Sequence, residues 1–212
     1  MRSVLLPVKR LTHAKTRLDV GGLRSAFAIA FAKDTIAAVS QCADIAMILV
    51  LTDDHIVRQS LSVLPDVSVT HTPRGLNEAL HTGAAAIRAA APRSDIAVVM
   101  ADLPALTPAE FSTACSRAAE FESSYVPDRD KLGTTALFAS SSRLHPAFGP
   151  NSHRAHTQAG HAALDVDDCP GLVRDVDLTE HLEAVAQLGV GRATAEVLAR
   201  YFEDLRIGAT AC

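Results

Sequence analysis

Three aspartates and one cationic stretch hold most of the chemistry this sequence can offer. Asp102 closes the apolar run Ile96-Ala97-Val98-Val99-Met100-Ala101 and is followed by Leu103-Pro104. Such a run, rich in β-branched residues and bounded by Arg93-Ser94-Asp95 and by proline, reads as the central strand of a parallel sheet, buried on both faces. Ligands of open parallel sheets bind beyond the carboxyl ends of the strands, so a carboxylate there faces a site. The competing role, capping the next helix, is already filled: Thr107-Pro108-Ala109-Glu110 supplies an N-cap threonine, a proline at the first helical position and a glutamate three residues after the cap. Asp175 and Asp177 follow a further stretch, Leu172 to Asp175, read as a last short strand, so all three carboxylates are expected to converge on one crevice. Hard oxygen ligands with open positions are what Mg²⁺ uses when it bridges a few carboxylates to substrate phosphates. Asp177-x-x-Glu180 also resembles a helix cap, which ranks Asp175 ahead of Asp177 as a metal ligand.

The cations lie on the loop after the first strand, where Lys9, Arg10, Lys15 and Arg17 fall within nine positions. Neither G-x-x-x-x-G-K-[ST] nor a G-x-G-x-x-G after that strand is present. Fixed positive charge at a strand end suits a polyphosphate, whose charge must be neutralised both on binding and as a leaving group forms. An anion site is also expected at Phe148-Gly149-Pro150-Asn151-Ser152, ahead of a short helix, with Gly133-Thr134-Thr135 offering donors from the other side. His145, His153, His156 and His161 cluster in sequence without the spacing of a helical H-x-x-x-H zinc pair, and read as surface or phosphate-contacting groups. A nucleophile elbow, G-x-S-x-G, is absent, which leaves no recognisable Ser-His-Asp arrangement.

These groups need a scaffold, and the hydrophobic pattern supplies one. Ser3 to Val8, Ile45 to Leu51, Val67 to Val69 and the run ending at Asp102 read as strands, separated by helices over Leu23 to Val39, after Thr52-Asp53-Asp54, and over Leu76 to Ala90. Ala26, Phe27, Ala30, Phe31 and Ile36 fall on one side of the first helix, which reads as amphipathic. A turn with Pro73 and Gly75 precedes the Leu76 helix. The alternation gives a right-handed α/β sheet of Rossmann-like form. A helix over Thr107 to Glu122 follows, then two close strands, Ser124 to Val126 and Thr134 to Ala139, that make the sheet mixed. An irregular segment runs from Arg143 to His161, and helices over about Thr179 to Leu188 and Ala193 to Leu205 finish the chain. At 212 residues, with 48% hydrophobic and 21% charged residues, a single domain over 1–212 is expected. No apolar stretch suits a membrane span or a signal peptide, so a cytoplasmic protein is expected. A net charge of -4 and no basic tract with aromatics argue against a nucleic-acid binder. Cys42, Cys115, Cys169 and Cys212 stand far apart and read as reduced thiols.

Six motifs in register resemble one known family. Val8-Lys9-Arg10 with Ala14-Lys15-Thr16-Arg17-Leu18, Gly75-Leu76-Asn77-Glu78-Ala79-Leu80, Ala101-Asp102-Leu103-Pro104-Ala105-Leu106, Gly133-Thr134-Thr135, Phe148-Gly149-Pro150-Asn151-Ser152 and Asp175-Val176-Asp177 are similar to the phosphoenolpyruvate/2-phospho-L-lactate guanylyltransferases of deazaflavin coenzyme F-420 biosynthesis. The resemblance runs from about Val4 to Arg200. It implies an α/β three-layer sandwich with a mixed, mostly parallel sheet, of the nucleotidyltransferase (nucleotide-diphospho-sugar transferase) type. The implied reaction joins a phosphorylated three-carbon acid to the guanylyl group of GTP and releases pyrophosphate. Carried over by motif, Thr134, Gly149 and Ser152 would hold phosphoenolpyruvate, and Asp102 with Asp175 or Asp177 would hold Mg²⁺. Lys9, Lys15 and Arg17 would meet the GTP phosphates, with Lys9, Lys15 and Asp102 serving the transfer itself, and Asn77 would lie near the nucleotide. The chain departs from the family pattern at Leu178 and His181, where threonine and aspartate are usual, and at Leu132-Gly133-Thr134-Thr135, where many relatives have Gly-Thr-Gly-Thr. The rival readings are a nucleotidyltransferase for 3-phosphoglycerate, a sugar phosphate or a pterin cofactor, and a non-catalytic GTP sensor. Neither nucleic acid nor membrane is expected as a partner, and the oligomeric state stays open, a homodimer being one arrangement.

Overall fold

The computed structural model describes residues 1–72 and 75–210, the side chains of 207–210 excepted. Pro73 and Cys212 therefore lie outside the described residues, while Cys42, Cys115 and Cys169 are free thiols. The chain runs β1 (Arg2–Pro7), α1 (Arg24–Ser40), β2 (Ile45–Thr52), α2 (His55–Leu61), β3 (Val67–His71), α3 (Leu76–Ala90), β4 (Asp95–Val99), α4 (Pro108–Ala118), β5 (Ser123–Pro127), β6 (Thr134–Ser140), α5 (Ser152–Gln158), β7 (Ala162–Ala163), α6 (Thr179–Leu188) and α7 (Arg192–Thr210). The strands form one sheet in the order β3-β2-β1-β4-β6-β5-β7. β1 to β4 are parallel, β6 is antiparallel to both β4 and β5, and β7 pairs parallel with β5. The run that ends at Asp102 thus does supply the middle strand of seven.

Side-chain alternation along β1 splits the core into layers. Val4 and Leu6 pack on α1, α2 and α4, whereas Leu5 packs with Leu49 and Leu51 against Leu80, Ala84 and Ile87 of α3. A third apolar cluster lies outside α1, where Phe27, Ala30 and Phe31 meet Leu182, Val185, Val197 and Leu198 of α6 and α7. This corrects the one-sided reading of α1. Ala28, Ala32 and Ile36 face the sheet while Phe27 and Phe31 face α7, so the helix is buried on two sides. Asp34, also buried, accepts the backbone N–H groups of Ala193 and Thr194 at 3.0 and 2.7 Å and so fixes the first turn of α7 on α1.

Local signals hold where they carry a mechanism. Thr107 and Glu110 form both hydrogen bonds of the capping box with Pro108 in the first turn, and Asp54 caps α2 through Ile56 N–H and Val57 N–H. α4 ends at Ala118 rather than Glu122, its last turn tightening through Ala119, Glu120 and Phe121. Two further corrections concern the sheet edge. Leu172 to Asp175 is no strand: that segment makes isolated hydrogen bonds, Arg129 N–H to Val173 C=O at 2.8 Å and Val176 N–H to Asp102 C=O at 3.1 Å, with no ladder. The place beside β5 is taken by the two-residue β7, which had no signal in the sequence. Among the described residues no helix is long and apolar enough to cross a membrane.

Candidate active site

The loop after β4 is held from three sides, and this aims Asp102. Leu103 N–H donates to Thr35 Oγ1 of α1 at 3.3 Å, Val176 N–H to Asp102 C=O at 3.1 Å, and Gly191 N–H to Pro104 C=O at 2.9 Å. The second of these bonds brings the Asp175-Val176-Asp177 segment alongside. One carboxylate oxygen from each of Asp102, Asp175 and Asp177 lies within 4.8 Å of the others. All three aspartates predicted from the sequence are therefore brought together, although Asp175 and Asp177 arrive on a loop rather than a strand end. Nor does Asp177 cap α6: Leu178 holds the N-cap position without a side-chain bond, and the Asp177 carboxylate turns to the cluster.

Lys15 sits in the middle of the group. Its Nζ donates to Asp102 Oδ2 at 2.5 Å and to Asp177 Oδ1 at 2.8 Å, and the side chain is only 9% exposed. It gets there because its backbone is left-handed, φ 52°, a conformation that a lysine adopts at a cost of about 1 kcal/mol or more. The other cations of the loop are spread around it. Lys9 and Arg17 are exposed, and Arg10 pairs with Asp53 at 2.6 Å. Burial alone would lower the Lys15 pKa, but Asp102 and Asp177 outweigh it and hold it above the ordinary value. Burial likewise works against Asp177, which Lys15, helped by Lys9 and Arg17, nonetheless keeps below the usual carboxylate range. Burial first, and then the charges of Asp102 and Asp177, push Asp175 up to about 7.

One ammonium facing three carboxylates leaves surplus negative charge in a half-buried hollow. Asp102 Oδ1 is in addition a buried acceptor without a hydrogen-bond partner among the described residues. Hard oxygen donors in this grouping suit Mg²⁺, with Asp102, Asp175 and Asp177 as the residues that would hold it.

The remaining predicted residues surround a second locus. Thr134 Oγ1 lies 2.9 Å from His156 Nδ1, and Ala147 N–H donates to His156 Nε2 at 3.0 Å. Because Nε2 accepts, the proton of this neutral imidazole is on Nδ1, which donates to Thr134 Oγ1 and leaves the threonine hydroxyl free to donate elsewhere. The pairing of β5 with β6 slips at Pro127, so strand alternation could not have told which of Thr134 and Thr135 faces this locus. Gly149 has φ 142°, which disfavours any side chain there, and its carbonyl accepts Ser152 N–H at 3.1 Å. Asn77 spends both ends of its amide on Phe148, donating to the carbonyl and accepting the N–H at 2.9 Å each. Both ends of its amide are thus committed to holding the turn that carries Gly149. His156 itself, fully buried, was legible only as one of four clustered histidines.

Burial, with His161 close by, lowers the His156 pKa to about 4. A histidine whose folded pKa lies below its unfolded 6.5 adds stability that is complete above that value and is lost as pH falls through about 4. The expected contribution is about 3 kcal/mol across that window. Urea unfolding of wild type and His156→Gln over this range measures it: the variant should show a flatter acid limb, and parallel limbs would contradict the assignment.

Two cavities concern the site, one of them lined by a carboxylate of the cluster. One of about 420 Å³ lies over the carboxyl ends of β1, β2 and β3, where Lys9, Arg10, Asp53 and Thr72 meet the start of α3. The other, about 390 Å³, is lined by Asp175 itself with Arg129, Arg174 and His181. Lys9 belongs to the first cavity and acts electrostatically on Asp177, which joins that cavity to the cluster.

A ligand hollow beyond the carboxyl ends of β1 to β4, with converging carboxylates and cations at its rim, is a nucleotide-handling arrangement. Comparison with known proteins decides the family: the description "Guanylyl transferase CofC like" matches residues 2–206. The chain belongs to this family. Among the relatives of the CofC-like chain, a phosphoenolpyruvate guanylyltransferase of Thermomonospora curvata is 44% identical over 203 residues, covering 93% of this chain and 89% of the relative. One from Streptomyces coelicolor is 41% identical, covering 93% and 96%. The fold is that of nucleotidyltransferases. A 4-diphosphocytidyl-2C-methyl-D-erythritol synthase from Anaerococcus prevotii superposes with a TM-score of 0.62 at 10% identity, over 89% of this chain and 96% of that one. A nucleotidyl transferase from Methanothermobacter gives 0.57 at 17% identity, over 89% and 97%.

Proposed function

We propose that this CofC-like chain transfers the guanylyl group of GTP to phosphoenolpyruvate with release of pyrophosphate, a step of deazaflavin coenzyme F-420 biosynthesis. The observation that carries the reading is the gathering of Asp102, Asp175 and Asp177 around Lys15, beside a cavity large enough for a nucleoside. The names of the 44% and 41% identical relatives favour phosphoenolpyruvate over 2-phospho-L-lactate as the acceptor.

The acceptor brings its own nucleophile, since a phosphate oxygen is already charged at neutral pH. That oxygen forms a bond to the α-phosphorus of GTP while the bond from the α-phosphorus to the bridging oxygen of the β-phosphate breaks, and pyrophosphate carries the electron pair away. No protein nucleophile is required, so the work of the site is to bring two anions together and hold them in line. Asp102, Asp175 and Asp177 would hold Mg²⁺, which would supply charge neutralisation for the reacting phosphates. Lys15 fixes Asp102 and Asp177 in one arrangement, and Lys9 and Arg17 at the rim offer counter-charge to the triphosphate and the departing pyrophosphate. Thr134, its hydroxyl proton turned outward by His156, donates to the acceptor's phosphate or carboxylate, with Gly149 and Ser152 completing that side.

Mass spectrometry of products from GTP with phosphoenolpyruvate, 2-phospho-L-lactate or 3-phosphoglycerate, alongside pyrophosphate release, tests this reading. A guanylylated enolpyruvate formed faster than the other two products is expected. Pyrophosphate release with a sugar phosphate and none of the three acids would replace the acceptor, and GTP binding without release for any acceptor would make the protein a sensor.

A further inference from the structure

Asp53 and Asp54 are neighbours in sequence, but only one of them serves the fold. Asp54 accepts Ile56 N–H, Val57 N–H and Leu11 N–H, so both its oxygens are committed to α2 and to the basic loop. Asp53 accepts a single hydrogen bond among the described residues, from Arg10 Nε to Oδ2 at 2.6 Å, and caps nothing. Neither member of this pair is needed for packing, since the Asp53 side chain is 23% and the Arg10 side chain 52% exposed. Both line the 420 Å³ cavity at the ends of β1 and β2.

That cavity has the character of a purine site. Val8, Leu51, Leu76 and Ala79 give it apolar walls, against which the faces of a flat heterocycle can pack. Its polar lining includes the hydrogen-bonded pair Arg10 and Asp53, with Lys9, His13, Thr52 and Thr72. Guanine presents, in order along one edge, an acceptor at O6 and donors at N1–H and N2–H. Among the described residues Arg10 has both terminal amino groups free beside a carboxylate with an uncommitted oxygen, which offers the complementary order, donor and then acceptors. Adenine reverses it, with a donor at N6 and a lone pair at N1 that would face the carboxylate.

We infer that Asp53 and Arg10 read the guanine edge of the nucleotide, Asp53 accepting from N1–H and N2–H and Arg10 donating to O6, and that this pair sets the base specificity of the enzyme. This rests on the guanylyl-transfer reading for its chemistry, but not for its test. A site built to pair a specific hydrogen-bonding edge rejects analogues that lack it far more strongly than an apolar pocket rejects a change of shape.

Asp53→Asn makes the test specific. The asparagine amide can accept from N1–H and donate to an oxygen at position 2, the pattern of xanthine, whereas the guanine N2–H group then faces an NH₂. Calorimetric binding of GTP, ATP and xanthosine triphosphate to the wild type should rank GTP first by about a hundredfold or more. In Asp53→Asn the order of GTP and xanthosine triphosphate should invert, with pyrophosphate release in the presence of phosphoenolpyruvate following the same inversion. Asp53→Ala, which can pair with neither base, should weaken both. Wild-type preference for GTP retained in Asp53→Asn and Asp53→Ala would overturn the inference, as would equal binding of GTP and ATP by the wild type. If the inversion is seen in binding while no nucleotide yields pyrophosphate, guanylyl transfer falls and the base assignment stands.

Discussion

Asp102→Asn should lower turnover of GTP with phosphoenolpyruvate by a hundredfold or more while leaving a folded protein. Asparagine keeps the size of the side chain, and the backbone carbonyl that accepts Val176 N–H is untouched, so the loop after β4 retains its shape. What is lost is charge at the one carboxylate that combines a strand-end position, a hydrogen bond from Lys15 and a buried oxygen with no partner among the described residues. A group that holds both a cation and the geometry of a phosphoryl-type transfer acts mainly in the transition state, so the effect should fall on kcat rather than on the KM for GTP. Steady-state pyrophosphate release beside a thermal unfolding scan checks this. Near-normal turnover in the folded variant would remove Asp102 from the chemistry.

The second large effect concerns Lys15. Replacing it with methionine keeps the length of the stem and removes the one cation standing between Asp102 and Asp177. The stranded carboxylates should cost about 3 kcal/mol of stability. The sign of the pH dependence follows from Asp175. Its carboxyl, held at about 7, titrates above the ordinary 3.8, so it favours folding at low pH and that contribution is lost as pH rises through about 7. The penalty of Lys15→Met should therefore be smaller in mild acid, where Asp175 is protonated, than above neutrality. Turnover should fall by about a hundredfold at every pH, because the cation that orders the carboxylates is gone. Adding Asp177→Asn should restore much of the stability and none of the turnover. Urea unfolding of the single and double variants at pH values either side of 7 reads this, and a double variant no more stable than Lys15→Met would show that Lys15 does not balance Asp177.

The sequence made the carboxylates legible because strand ends and helix caps are local features. Asp102 could be separated from the capping role at Thr107 by spacing alone, and α3 falls on the predicted Leu76 to Ala90. It could not rank the cations. Lys9, Arg10, Lys15 and Arg17 look alike in a loop, and what sends Lys15 inward is a left-handed backbone for which lysine has no preference. Asp175 was found for a partly wrong reason, since Leu172 to Asp175 has the composition of a strand but is held by single bonds to Arg129 and Asp102 rather than by a ladder. What His156 and Asn77 bond to was illegible for a different cause. Each acts through a partner distant in sequence, His156 through Thr134 and Asn77 through Phe148, and such pairings are fixed by packing, with no periodic or motif signal. Asp53 has no local signal that separates it from Asp54, whose side chain makes the capping bonds of α2.

The most direct measurement is the paramagnetic resonance of Mn²⁺, a stand-in for Mg²⁺, titrated into the protein with and without GTP. Saturable loss of the free-ion signal in the wild type, strengthened by GTP and abolished in Asp102→Asn and Asp175→Asn, is the result expected of carboxylates that share one cation. Equal uptake by wild type and both variants would mean that these aspartates do not form a metal site, and the account built on them would fail.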